Sequence, residues 1–159
     1  MLFRSWDNIQ ARKGPNLAGH SMVDGSTQVS DLDKTESNRL LVRSFIEEVL
    51  IDSELQKLTQ YVDENYIEHN PGLNDGVPAL RSALSDSTAE GKIKIRYDTL
   101  HRVLAEGNFV MSVSEGFSSG IHTSFYDLFR VDNGKLVEHW DTTEAIPPKS
   151  TWKNDNGKF

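Results

Sequence analysis

The chain has 159 residues, of which 36% are hydrophobic and 26% charged, with a formal net charge of −7; this suits one domain plus an arm, long enough to bury a core. Its acidity, without a Lys/Arg cluster, speaks against nucleic acid and anionic membranes as partners. The absence of cysteine excludes disulfides, a thiol nucleophile and thiolate metal sites, and with neither a signal-peptide core in Met1–Pro15 nor an apolar run of spanning length the expected compartment is the cytoplasm.

Residues 1–32 read as a flexible N-terminal arm, because Ala11 to Asp31 are rich in Gly, Ser, Asn and Asp and show no periodicity. Asp33 and Glu36 have capping-box spacing. Leu41, Phe45 and Val49, with Val42 and Ile46 beside them, predict an amphipathic helix ending near Ile51. Ser53 is placed to cap a second helix with Leu55, Leu58 and Val62 on its inner face. Asp75, with Pro78 in the first turn, opens a third helix with Val77, Leu80 and Leu84 inward.

After Gly91 the period changes to two. Ile93, Ile95 and Tyr97 alternate with Lys94 and Arg96, and this strand runs to Ala105. Glu106-Gly107-Asn108 turns the chain. Phe109, Met111, Val113 and Phe117 share a face of the next strand. A turn at Ser118-Ser119-Gly120 leads to a third strand with Ile121, Phe125, Phe129 and Val131 on one face. The last strand covers Leu136 to Thr143, and Pro147-Pro148 stops it. Three helices followed by a four-stranded antiparallel meander make an α+β fold, helices on one sheet face.

Phe3 to Ala11 echoes Val137 to Ala145, with Trp, Asp and Ala at the same spacing. Either this is chance, or the arm carries an orphan strand of a preceding copy of the domain, able to pair with a sheet edge.

Several strands place ionisable groups among inward apolar residues. Asp127 intrudes on the third strand and Glu115 on the second; His101 is in phase with Tyr97, and His139 and Asp141 with Val137. Convergence from several strands points to a pocket, whereas one buried acid is commonly a structural pair. The Asn133-Gly134 turn controls the register. A two-residue turn sets Asp127 opposite Trp140. A three-residue loop with Gly134 in a bulge sets it opposite His139, with Asp141 diagonal on the same face, and this second register is expected. Two aspartates in one apolar cavity cannot both ionise comfortably, so at least one becomes an acid/base near neutral pH; the bland alternative is a cross-strand ion pair.

Tyr66 to Pro71 forms a second constellation. Pro71 forces Asn70 out of helical geometry, so His69 and Asn70 are expected on a fixed loop between the second and third helices. His69 is a candidate acid/base and Asn70 a donor to a substrate carbonyl, unless both only tie the loop. No metal site is indicated, since the five histidines show no His-x-x-x-His spacing.

The stretches YIEHNP (66–71), HRVLAEGNFV (101–110) and FYDLFRVDNGKLVEHWD (125–141) resemble the SnoaL-like proteins of the nuclear transport factor 2-like superfamily. The resemblance covers roughly Thr35 to Pro148 and is nearest to polyketide-cyclase and aldol-condensation types. It implies a cone-shaped domain over residues 33–159, in which a curved sheet of four or more strands wraps a long helix around an apolar pocket. It further implies chemistry without a cofactor and a homodimer formed through the sheet. By motif position the acid/base role falls on Asp141, with Asp127 packed beside it; Asp at both positions departs from the His–Asp pair of those enzymes.

The expected function is acid/base chemistry alpha to a carbonyl (aldol cyclisation, isomerisation or hydration) on a small apolar carbonyl compound. The candidate catalytic residues are Asp141, Asp127 and His69. Asn70, Tyr66, His101, Glu115, Phe125, His139 and Trp140 are the candidate substrate-binding residues. The alternatives are a non-catalytic ligand-binding or dimerisation module of the same fold and, further off, a metal-dependent hydrolase.

Overall fold

The computed structural model describes residues 14–155 and 158–159. The stretch proposed as an orphan strand, Phe3 to Ala11, lies outside the described residues. Helix α1 (Thr35–Ser44) continues through a wider π-wound segment, Phe45–Ile51, ending where the periodicity placed the stop. The wider winding turns Phe45, Ile46, Val49 and Leu50 inward as pairs four apart. The expected capping box is not formed. Asp33 sits inside a short 3-10 turn, Leu32–Lys34. Thr35 serves instead: its hydroxyl donates to the Leu32 carbonyl and accepts from the Gly107 N–H, tying the helix start to a strand turn.

The second helix is shorter than expected. It comprises only α2 (Leu58–Tyr61), because Val62 adopts an extended backbone and opens strand β1 (Val62–Glu68). The apolar spacing Leu55–Leu58–Val62 mimics a helix, but Val62, Tyr66 and Glu68 alternate inward as in a strand. Ser53 does not cap it, having a positive φ before the 3-10 turn Leu55–Lys57. Helix α3 (Val77–Ser85) carries Pro78 in its first turn, as expected, but Gly76 precedes it as N-cap with φ 88°. Asp75 instead accepts from the Glu68 backbone N–H and from Asn16.

Strands β2 (Ile95–Glu106), β3 (Phe109–Ser118), β4 (Ile121–Asp132) and β5 (Lys135–Ala145) form the expected antiparallel meander. Strand β1 adds parallel to β5, giving a five-stranded sheet in the order β1-β5-β4-β3-β2. The fold is α+β, with α1 and its π-wound extension packed on the inner sheet face. The core lies between them: Val42, Phe45, Ile46, Val49, Leu58, Phe129 and Leu136 are all buried. Phe45 meets Phe129 edge-on at 5.6 Å, a geometry worth about 0.5–1.5 kcal/mol beyond its buried area. No helix among the described residues is long and apolar enough to cross a membrane.

Irregularities in the ladders decide which side chains meet. Asn133 and Gly134 both have positive φ, as a two-residue type I′ turn requires, and pair Asp132 with Lys135. The register then shifts between Arg130 and Val131, leaving Val137 as an extra residue in β5. Asp127 thereby stands opposite Asp141, and Phe129 opposite His139. The expected three-residue loop is therefore not formed. Asp127, His139 and Asp141 nevertheless share the inner face, because turn and bulge together move the register by two residues. Two further shifts in β2, around Asp98 and His101, break its simple alternation. At the first of them the Arg96 carbonyl lies so close to Gly116 that a Cβ there would collide with it.

Residues 14–31 lie against the opposite, outer face. Asn16 donates to the Glu68 carbonyl, the Trp140 indole donates to the Asp24 carbonyl, and Ser30 exchanges hydrogen bonds with Asn108.

Candidate active site

The inner faces of β1, β4 and β5 converge beneath α3 and the π-wound segment. Between them is a cavity of about 260 Å³, just under the usual range of roughly 300–1,000 Å³ for small-molecule sites. Phe45, Leu50, Leu80 and Leu84 form apolar walls, and the polar groups come from the sheet: Tyr66, Glu68, Tyr97, Asp127, His139 and Asp141, with Asn70 beside them.

His139 organises the polar floor. Its Nδ1 lies 3.0 Å from Glu68 Oε2, and its Nε2 lies 3.2 Å from Asp127 Oδ1. With a carboxylate on each ring nitrogen, both nitrogens donate and the ring is an imidazolium. Burial would lower the His139 pKa, but Glu68 and Asp127 outweigh it and hold the pKa well above the ordinary value. Burial would likewise raise Glu68, but the imidazolium outweighs it and the carboxyl ends below its usual range. The ring is held from the sides by Phe129, 4.7 Å away, and Tyr66, 6.4 Å away.

The remaining donors close on the same carboxylates. The Tyr66 hydroxyl and the Asn70 backbone N–H donate to Glu68; the Tyr97 and Ser112 hydroxyls donate to Asp127. Burial, reinforced by the neighbouring carboxylates, raises both tyrosine hydroxyls well above their ordinary pKa.

Asp141 differs. Among the described residues its one side-chain partner is the Asn70 amide, whose Nδ2 lies 2.9 Å from each carboxylate oxygen. That amide is oriented by its own Oδ1, which accepts from the Gly72 N–H, on the loop that Pro71 keeps extended. Burial raises the Asp141 pKa from 3.8 to about 6, with Glu68 and Asp127 adding to the rise and His139 opposing it. A carboxyl with a pKa near 6 changes its charge close to neutral pH.

Of the residues singled out from the sequence, Asp141, Asp127, His139, Tyr66 and Asn70 meet at this cavity. Phe125 packs beside it, stacked on Tyr97 at 4.3 Å. His69 does not line the cavity: the one-residue step from Glu68 turns its ring to the outer face. There His69 stacks on Trp140 at 4.5 Å, pairs with Glu138 and Asp24, and is bonded to the Ser21 carbonyl. Burial opposes its protonation, but Glu138 outweighs it and raises the pKa. Trp140 is likewise turned outward. His101 and Glu115 are also on the outer face, where Glu115 bridges His101 at 2.9 Å and His122 at 2.5 Å. The displaced phase of β2 explains the misplacement of His101.

Glu68 and Tyr97 were not singled out from the sequence. The signal for Glu68 was its position two residues after Tyr66, which puts both on one face of a strand; reading the segment as a loop concealed it.

No family model matches the chain, and no curated protein matches it either. Solved structures do match in fold. A candidate ketosteroid isomerase from Kribbella flavida DSM 17836 superposes with a TM-score of 0.60 at 15% identity, covering 79% of this chain and 94% of that one. An NTF2-like protein of unknown function from Mesorhizobium loti gives 0.57 at 18% identity, with 75% and 100% covered. A candidate SnoaL-like polyketide cyclase from Jannaschia sp. CCS1 gives 0.52 at 16% identity, with 75% and 92% covered. These identities speak to architecture and not to activity. The chain has the nuclear transport factor 2-like fold, the fold that its sequence motifs resemble.

Proposed function

We propose that the cavity is an acid/base site for a small, largely apolar molecule, with Asp141 as the group that takes and returns the proton. The observation that carries this reading is the contrast between Asp141 and its neighbours. His139 has both N–H groups committed, and Glu68 and Asp127 are committed to His139. Asp141 has a raised pKa and one amide partner. The fixed Glu68–His139–Asp127 array sets the local field, and Asn70 aims the Asp141 carboxylate. The reaction class is proton removal from a carbon next to a carbonyl or an equivalent electron-withdrawing group, leading to isomerisation, hydration or aldol closure.

The test is deuterium uptake at that carbon in heavy water, followed by proton NMR over a panel of apolar ketones, aldehydes and iminium salts. Exchange above background by the parent protein, lost in Asp141→Asn, supports the reading. Equal exchange by both proteins, or by neither, rejects it.

A further inference from the structure

We propose that the ligand of this cavity is a small hydrophobic organic cation, its charge on a nitrogen bearing N–H groups, and not a neutral carbonyl compound. The inference rests on the acid/base reading of the same site and names its substrate class.

The hydrogen-bond inventory of the cavity is one-sided. Its side-chain donors, the His139 N–H groups, the Tyr66 and Tyr97 hydroxyls and the Asn70 amide, already point at carboxylates. Three carboxylates supply acceptor capacity beyond those bonds. A ligand entering here therefore meets acceptors and must bring donors of its own. Charge runs the same way. The floor sets three carboxyl groups around one imidazolium, and among the described residues no Lys or Arg lines the cavity. Phe45, Leu50, Leu80 and Leu84 supply the apolar walls that the hydrophobic part of such a cation needs.

The same inventory bears on the reaction. Enolisation of a neutral ketone builds negative charge on oxygen beside fixed carboxylates, where the side-chain donors of the described lining residues already serve those carboxylates. A carbon next to a protonated imine avoids this. Asp141 takes the proton; the C–H electron pair becomes a C=C bond, and the π pair of the C=N⁺ bond moves onto nitrogen. A neutral enamine and a neutral carboxylic acid result, so opposite charges are cancelled within the cavity and none is created.

The test is calorimetric titration of the protein with benzylamine, acetophenone and benzoate at about pH 5 and about pH 7.5. The groups facing Asp141 are His139, Glu68 and Asp127, with Tyr66, Tyr97 and Asn70. Glu68 and His139 are shifted away from this interval in opposite directions, whereas Asp141, near 6, falls within it. Benzylamine is expected to bind about tenfold more tightly at the higher pH, as Asp141 ionises, and at least about tenfold more tightly than acetophenone or benzoate. Asp141→Asn is expected to remove the pH dependence. Tighter binding of acetophenone or benzoate, a pH-independent benzylamine affinity, or no binding of any probe overturns the inference. A carbon-13 titration of the Asp141 carboxyl separates the two failures. A midpoint near 6 leaves the acid/base reading standing with another ligand class, and a midpoint near 4 removes both.

Discussion

Asp127 and Asp141 stand directly opposite one another in the β4–β5 ladder, side chains on the same inner face. Like charges so placed destabilise a sheet. The fold tolerates the pair by treating its members differently. Asp127 is held by the His139 imidazolium and the Tyr97 hydroxyl. Asp141 faces an amide and carries a carboxyl that burial makes reluctant to ionise.

Removing the Asp141 charge should therefore stabilise the protein. A folded pKa raised above the unfolded value means that the native state binds the proton more tightly. Stability from this group is then full below about pH 4 and is lost as pH rises through about 6. The rise corresponds to at most about 3 kcal/mol, and relaxation around a partly buried group reduces it. Asp141→Asn should gain roughly 1–2 kcal/mol at neutral pH, with no gain near pH 4. Chemical denaturation of both proteins at the two pH values measures this; a variant less stable at neutral pH contradicts the assignment.

His139 has the opposite sign. Its raised pKa makes its contribution full below the unfolded histidine value and lost as pH climbs through the higher folded one. His139→Leu leaves Glu68 and Asp127 buried without their cation and should cost about 3–5 kcal/mol. Adding Glu68→Gln and Asp127→Asn should recover part of that loss. Thermal melts of the single and triple variants decide; no recovery would mean that ring packing, not charge, is what His139 supplies.

Asn70 holds the Asp141 pKa below where burial alone would put it. A hydrogen bond to a charged group is worth about 1.5–3 kcal/mol, so Asn70→Ala should move the Asp141 midpoint upward by about one pH unit or more. The pH profile of any proton-exchange activity should move with it. An unmoved carboxyl titration would show that water replaces the amide.

Gly25 has φ of 104°, and a Cβ on it would strike Glu138 and Trp140. Gly25→Ala should lift Ser21–Gly25 from the outer sheet face and expose the stacked His69–Trp140 pair. We expect a loss of about 1–2 kcal/mol and faster proteolytic nicking within residues 16–31. Unchanged cleavage would show that the arm does not depend on that contact.

The sequence alone determined the meander and the long first helix, because alternation over ten or more residues and an apolar stripe four apart are local patterns. It left open whether Asp127, His139 and Asp141 share a face, since a two-residue turn without a bulge would have set Asp127 opposite Trp140 and parted it from the other two. Tertiary structure decided the rest. Strand β1 forms because the free edge of β5 accepts Val62–Glu68, a partner some seventy positions away that no local window contains. A bulge at Val137 set a register that neither reading of the turn gave, with Asp127 opposite Asp141. Bulges in β2 sent His101 to the outer face, and the single step from Glu68 to His69 sent one residue to the cavity and the next beneath the arm. Side-chain direction in a strand reverses with every residue, so one unforeseen strand or one extra residue changes which groups meet.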